Sequence, residues 1–319
     1  MDRNDIAEAM KRIESVPGMI EKSEQLLLLK YASSIKINPE ECFVEFGVFF
    51  GNSTACLAEG LLLNQKRYTS TKIFAYDSFN CPVDGKFVEQ VREFAELCKR
   101  KSLLIERNGY LDFEGISREF LDGYLNRTLI EIKKGQISAY HAEEKPIALM
   151  HLDAPKSAQE LSPIIRQSFP LLRSKSIIIF QDFFYHWSAS SIAIIGKMMR
   201  EGFLCPIESA ATSLICEVNA KFHKEYINEL LLCTDKKLVM TDLDFAIEAT
   251  ENLPSGNDKS IYPARLYLAK IQHLYEGGKP EEAATVLVEF LNRKRKFSLQ
   301  SINDFIEMFR YGFHFPWNS

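Results

Sequence analysis

The sequence predicts an α/β protein: a doubly wound parallel sheet with an antiparallel edge hairpin, followed by a C-terminal helical extension. Three observations carry that expectation. Five short apolar runs alternate with segments of helical periodicity, the pattern left by crossover helices that cover both faces of a sheet. Two further strand-like runs, 203–207 and 213–218, have only a short turn between them, which suits an antiparallel pair. After about Tyr226 the β-branched runs stop and helical patterns dominate.

The elements follow in order. Residues 5–35 predict two helices. Apolar residues recur at Ile6, Met10 and Ile13, then from Leu26 to Tyr31 and at Ile35, with Pro17-Gly18 as a break and Asn38-Pro39 as a stop. The apolar run 42–46 predicts the first strand, Gly47 to Gly51 a turn, and Asn52-Ser53-Thr54 the cap of a helix reaching about Leu63. A second strand at 72–76 ends at Asp77, and a helix covers 86–101. Residues 108–126 carry a partly helical pattern. The third strand falls at 129–132 or at 136–140, the fourth at 146–152 and the fifth at 176–180. Helices at 157–172 and 190–201 complete the alternation.

This divides the chain into N-terminal helices (1–40), a central domain (41–225) and a helical extension (226–319). In the extension, 262–275 and 281–292 are amphipathic helices joined by Glu276-Gly277-Gly278-Lys279-Pro280, and they resemble a single tetratricopeptide-like hairpin. One hairpin cannot bury its own apolar face (Leu266, Leu268, Ile271 and Leu274 on one helix; Val286, Val288 and Leu291 on the other). It is therefore expected to pack on the central domain, or on another copy in a homo-oligomer.

Composition narrows the function classes. With 39 basic and 43 acidic residues the net charge is -4, which gives no general attraction to nucleic acid or anionic membrane. The basic run 293–296 reads as a solvated helix end. The aliphatic runs 26–29 and 177–180 are far too short to cross a bilayer, and the N-terminus leads into an amphipathic helix. Seven scattered cysteines without a C-x-x-C pair read as reduced core residues, so the expectation is a cytoplasmic protein with neither nucleic-acid nor membrane partner.

Four motifs carry chemistry, all at predicted strand tips. The first is Glu45-x-Gly47-x-x-x-Gly51. A tight strand-to-helix turn needs glycine where a side chain would block a ligand or demand forbidden backbone angles. The amides of the following helix, from Asn52 and Ser53, can meet an anionic group. The spacing is not the G-x-G-x-x-G of dinucleotide enzymes and better suits an amino-acid-bearing nucleoside. Asp77-Ser78 forms the second motif, where an acid at the neighbouring strand tip can accept ribose hydroxyls. The third is His151-Leu152-Asp153. The fourth is Gln181-Asp182 with His186-Trp187 close behind. Plainer roles stay open for each: turn or capping aspartates, and a packed or surface histidine.

These residues resemble the motifs of class I S-adenosylmethionine-dependent methyltransferases, with the nearest likeness to the macrocin O-methyltransferase group. Residues 44–53 are similar to the first motif of that class. Ala75-Tyr76-Asp77-Ser78-Phe79 is similar to the group's F-D-S-F, Leu149-Met150-His151-Leu152-Asp153 to its L-H-I-D, and 178–187 to its I-I-D-D-Y-x-H-W. The resemblance covers about residues 40–220 and implies a Rossmann-like fold whose usual ending is the antiparallel hairpin. It implies S-adenosylmethionine as cofactor, held by Glu45, Gly47, Gly51, Asn52, Ser53, Asp77 and Ser78. It also implies methylation of a small-molecule hydroxyl, with Asp153, Asp182 and His186 on the acceptor side. The departures are specific. Pro155 stands where the group has a second aspartate, and either Gln181 or Phe183 replaces one of its paired aspartates. The metal site implied by the resemblance is incomplete, and no metal is expected. The alternative is a non-catalytic binding or regulatory protein on the same scaffold. A nicotinamide oxidoreductase is disfavoured by the glycine spacing.

Overall fold

The computed structural model describes residues 3–127, 129–185, 189–234, 240–251, 253 and 261–293. Two helices, α1 (Arg3–Glu14) and α2 (Lys22–Ser34), precede the unit β1 (Cys42–Phe46), α3 (Asn52–Leu63) and β2 (Ile73–Asp77). An insertion then carries β3 (Asn80–Pro82), α4 (Phe87–Leu97), β4 (Ile105–Arg107) and β5 (Tyr110–Asp112). Next come α5 (Glu114–Leu125), β6 (Ile130–Lys134), β7 (Ile147–Leu152), α6 (Ala158–Ser168) and β8 (Leu172–Phe180). The rest is α7 (Ala189–Arg200), β9 (Leu204–Ala210), β10 (Ser213–Val218), α8 (Lys224–Thr234), α9 (Met240–Thr250), α10 (Ile261–Glu276) and α11 (Pro280–Arg293).

Seven strands form one sheet in the order β6-β2-β1-β7-β8-β10-β9, and β3, β5 and β4 form a small second sheet. The fold is Rossmann-like. β1 runs parallel to both β2 and β7, β2 runs parallel to β6, and β9 and β10 pair antiparallel. β1 and β7 are buried along their whole length, as strands covered on both faces must be, which is why they read as unbroken apolar runs. The third strand is the earlier of its two sequence candidates; residues 137–139 form a short 3-10 turn instead.

The chain forms two compact units. The first comprises Met1–Pro155 and Gln167–Ile178, the second Lys156–Arg166 and Ile179–Ser319. Within the first, α3 holds both N-terminal helices through asparagines at its two ends. The amide of Asn52 donates to the carbonyls of Ile13 (3.1 Å) and Val16 (2.6 Å), and that of Asn64 to Ala32 (3.0 Å) and Ile35 (2.8 Å). Those carbonyls lie where α1 and α2 end, so side chains of α3 satisfy groups that a helix terminus leaves open.

Within the second unit the extension packs on α7. A Cβ on Gly196 would stand 2.2 Å from the carbonyl oxygen of Asp242, so the glycine permits the close approach of α9. Arg200 on α7 donates to the Asp242 carboxylate at 2.8 Å. α10 and α11 pair through Tyr267 and Phe290, with ring centroids 5.5 Å apart. Leu266, Leu268, Ile271, Leu274 and Val286 are buried as expected, but Val288 and Leu291 are exposed by 56% and 39%. The inward face of α11 is Ala283, Val286 and Phe290, a spacing of three and four that places Val288 and Leu291 off the stripe. Among the described residues no helix is long and apolar enough to cross a membrane.

Candidate functional site

Strand register builds the site. Phe46 of β1 stands level with Tyr76 of β2 and with Leu152 of β7, so the next residues, Gly47, Asp77 (the last of β2) and Asp153, stand side by side at the carboxyl edge of the sheet. Ligands of open α/β sheets bind at that edge.

Gly47 and Gly51 have φ of +96° and +106°, where side-chain-bearing residues are strained. A Cβ on Gly47 would approach the Ala154 amide nitrogen to 2.8 Å and the Asp153 Cβ to 3.0 Å, while one on Gly51 would strike the Leu121 side chain at 2.8 Å. Both positions therefore call for glycine through backbone angle and the chain's own packing; of the two reasons the sequence offered, forbidden backbone angles or a blocked ligand, the first is the one met here. Asp77 fixes the turn from the side. One carboxylate oxygen accepts the amides of Val48 (2.7 Å) and Phe49 (2.9 Å), and the other accepts Phe79 (2.7 Å). Burial raises the Asp77 pKa, partly offset by those three amides; nearby Asp153 raises it further. The turn ends at α3, whose start behind Gly51 has no side-chain cap although Asn52, Ser53 and Thr54 are buried. Open amides at a buried helix start are a ready seat for a carboxylate.

The remaining cofactor candidates have other partners. Glu45 is fully buried, accepting the Thr54 hydroxyl at 2.6 Å and lying 3.1 Å from His151 Nδ1, which ties β1, α3 and β7 together. The Asn52 amide is spent on α1, and its oxygen accepts Gln25 at 3.0 Å. The Ser53 side chain is buried, and the Ser78 hydroxyl donates to the Asn80 carbonyl at 3.2 Å.

Aromatic rings surround the turn, a feature the sequence reading missed. Phe49, itself at φ +49°, stacks on Phe50 at 4.1 Å and meets Phe87, Phe94 and Phe113 at 5.6–5.7 Å. Those rings come from α4 and from the residue before α5, which are distant in sequence, so no local pattern announces them.

The described acceptor-side candidates, Asp153 and Asp182, belong to different units. Asp153 follows β7 in the first unit, and its amide donates to the Phe46 carbonyl at 2.8 Å. Asp182 follows β8 in the second unit at φ +59°. Its carboxylate receives the Lys156 ammonium at 2.5 Å and the Thr212 hydroxyl at 3.2 Å, while neighbouring Gln181 accepts the Ser213 hydroxyl at 2.6 Å. Lys156 was not foreseen, although a lysine three residues after a strand-tip aspartate was the available signal. His186 and Trp187 lie outside the described residues. Among the described residues no three His, Cys, Asp or Glu side chains converge as a metal set, so the side chains present do not fit the magnesium site that the motif resemblance implies.

Residues 44–183 match the family model described as a methyltransferase domain, a span that contains all four tip motifs except His186-Trp187. The cofactor of that family is S-adenosylmethionine. Among solved structures, the chain is similar to the O-methyltransferase NovP (14% identity, TM-score 0.45, covering 64% of this chain and 82% of that one). It is also similar to the calicheamicin methyltransferase CalS11 (14%, 0.42, 68% and 80%). A third likeness is to an O-methyltransferase from Bacillus cereus in complex with SAH (13%, 0.38, 69% and 92%). No curated protein matches. Over residues 44–183, then, this chain is similar to methyltransferase domains.

Proposed function

We propose that this protein is an S-adenosylmethionine-dependent methyltransferase acting on a hydroxyl of a small-molecule acceptor of the sugar or natural-product kind. The observation that carries the reading is the in-register edge where Gly47, Asp77 and Asp153 stand side by side, beside a buried helix start with no side-chain cap. An amino-acid carboxylate would take the α3 amides behind Gly51. The Asp77 carboxylate keeps one acceptor position for a ribose hydroxyl once its three amides are counted. The cofactor supplies a methyl group already activated on sulfonium. The chain's own work is then to orient the acceptor and take its proton.

For the acceptor side we propose Asp153, Asp182 and His186, with His186 taking the proton. Lys156 supplies a positive charge to Asp182, which supports a metal-independent reaction. Asp77 and Glu45 also have internal partners, and this favours a second reading, a non-catalytic protein on the same scaffold.

Calorimetry with S-adenosylmethionine and with NAD, followed by turnover of candidate hydroxyl acceptors with and without EDTA, tests the proposal. We expect binding of the first ligand alone and turnover that survives EDTA. Cofactor binding without turnover on any acceptor would favour the second reading, and turnover lost with EDTA and restored by magnesium would overturn metal independence.

A further inference from the structure

Away from the strand tips, the first unit contains a cleft of about 520 Å³ between α1, α3 and α5, within the size range of small-molecule sites. It sits beside Glu59, seven residues along α3 from Asn52, or about 10 Å down the helix from the glycine turn. Its charged wall has a fixed geometry. Arg12 donates through Nε and Nη2 to the two oxygens of Glu59 at 2.7 and 2.8 Å, and the Tyr124 hydroxyl donates to the same carboxylate at 2.6 Å. Glu59 is thereby neutralised in place, and Arg12 retains N–H donors beyond the two it has spent. Arg127, also on the wall, has no carboxylate partner among the described residues. The cleft thus carries a surplus positive charge. The rest of its lining is mostly apolar or aromatic, including Leu62, Leu63 and Phe120, with Ser15 as a neutral polar group.

A second observation concerns Gly123. It lies inside α5, where glycine is a much poorer helix former than alanine. Unlike Gly47 or Gly196, it is not required by close packing: a Cβ there would meet nothing within 4 Å. It opens onto the cleft, and its missing side chain leaves the cleft room.

We infer that this cleft is a binding site for an organic carboxylate with a compact aromatic body, separate from the strand-tip site. The guanidinium of Arg127, with the remaining donors of Arg12, takes the carboxylate, and Phe120, Leu62 and Leu63 take the ring. A purely apolar ligand would leave the surplus charge unanswered, and a cation would be repelled by it. The inference does not depend on the proposed catalytic function, because no strand-tip residue contributes to it.

Calorimetry of the full chain with 1-naphthoate and with the uncharged 1-naphthamide tests the site. Naphthoate is expected to bind saturably, one per chain, and naphthamide at least about tenfold more weakly. Arg127→Gln, on an exposed side chain, should weaken naphthoate about tenfold, the size of a lost charge-assisted hydrogen bond. Gly123→Leu should abolish binding while leaving the melting temperature unchanged or higher, since leucine favours the helix and points into open space. S-adenosylmethionine binding should be unaltered in Arg127→Gln. No saturable naphthoate binding to the folded protein, equal binding of naphthamide, or affinity unchanged in both variants would each overturn the inference.

Discussion

The carboxylate of Asp77 accepts the amides of Val48, Phe49 and Phe79, so three of its roughly four acceptor positions are used by the chain itself. Asp77→Ala should therefore do two things. It should weaken S-adenosylmethionine about ten- to hundredfold, and it should cost about 1–3 kcal/mol of stability because three turn amides lose their acceptor. Calorimetry and urea unfolding on the same variant measure the two effects, and a folded variant with unchanged affinity would remove Asp77 from the site. The two effects also separate with pH. Burial raises the folded-state pKa of Asp77 above its unfolded value, so between those values the folded protein holds the extra proton. The Asp77 contribution to stability then falls as pH rises through the window above the ordinary carboxylate value. Cofactor affinity needs the ionised form and should move the other way, weakening as pH falls into the same window. Both dependences should vanish in Asp77→Ala. The tip residues themselves were legible in the sequence because each closes a short apolar run. What they bond to was not, since Glu45 and His151 meet across 106 positions of chain and Asn52 and Ile13 across 39.

Helix α3 joins the glycine turn to the N-terminal helices, and its two flanking asparagines make that joint. Asn52→Ala and Asn64→Ala each remove an amide donor from two carbonyls, at the ends of α1 and α2 respectively, although the Ile13 carbonyl keeps the Val16 amide. Each substitution should cost about 1–3 kcal/mol. The pair should be nearly additive, because the two residues sit at opposite ends of the helix and share no partner. Denaturant titration of the two single variants and the double variant checks this, and a loss confined to one variant would show that only one helix is held in this way. At this scale periodicity served well for long elements and poorly for short ones. The parallel strands and most helices were readable from apolar runs and breakers. The small sheet of β3, β5 and β4 was not, because three-residue strands hold too few side chains to display alternation. The partly helical stretch at 108–126 resolves into β5 followed by α5, two patterns superposed in one window.

For the molecule as a whole, the extension is part of a core. α9 approaches α7 closely enough to require Gly196, and the buried Asp242 carboxylate receives Arg200. A chain ending at Glu225 should expose that face of α7, and we expect it to aggregate or to lose its cooperative transition. Expression of the truncated chain followed by size-exclusion chromatography and thermal unfolding tests this; a soluble, monomeric, cooperatively melting product would refute it. The path of the chain between the two units has a further consequence, which concerns how the protein is made. The chain crosses from one unit to the other at 155/156, at 166/167 and at 178/179. No single cut can release either unit whole. During synthesis the first unit lacks its last strand segment until Ile178 has emerged. The piece Lys156–Arg166, already outside the ribosome, must wait for the remainder of its own unit to follow. At about 5–20 residues per second that wait lasts on the order of ten seconds. Throughout it Leu161, Ile164 and Ile165, buried in the finished fold, belong to a segment whose unit is still incomplete.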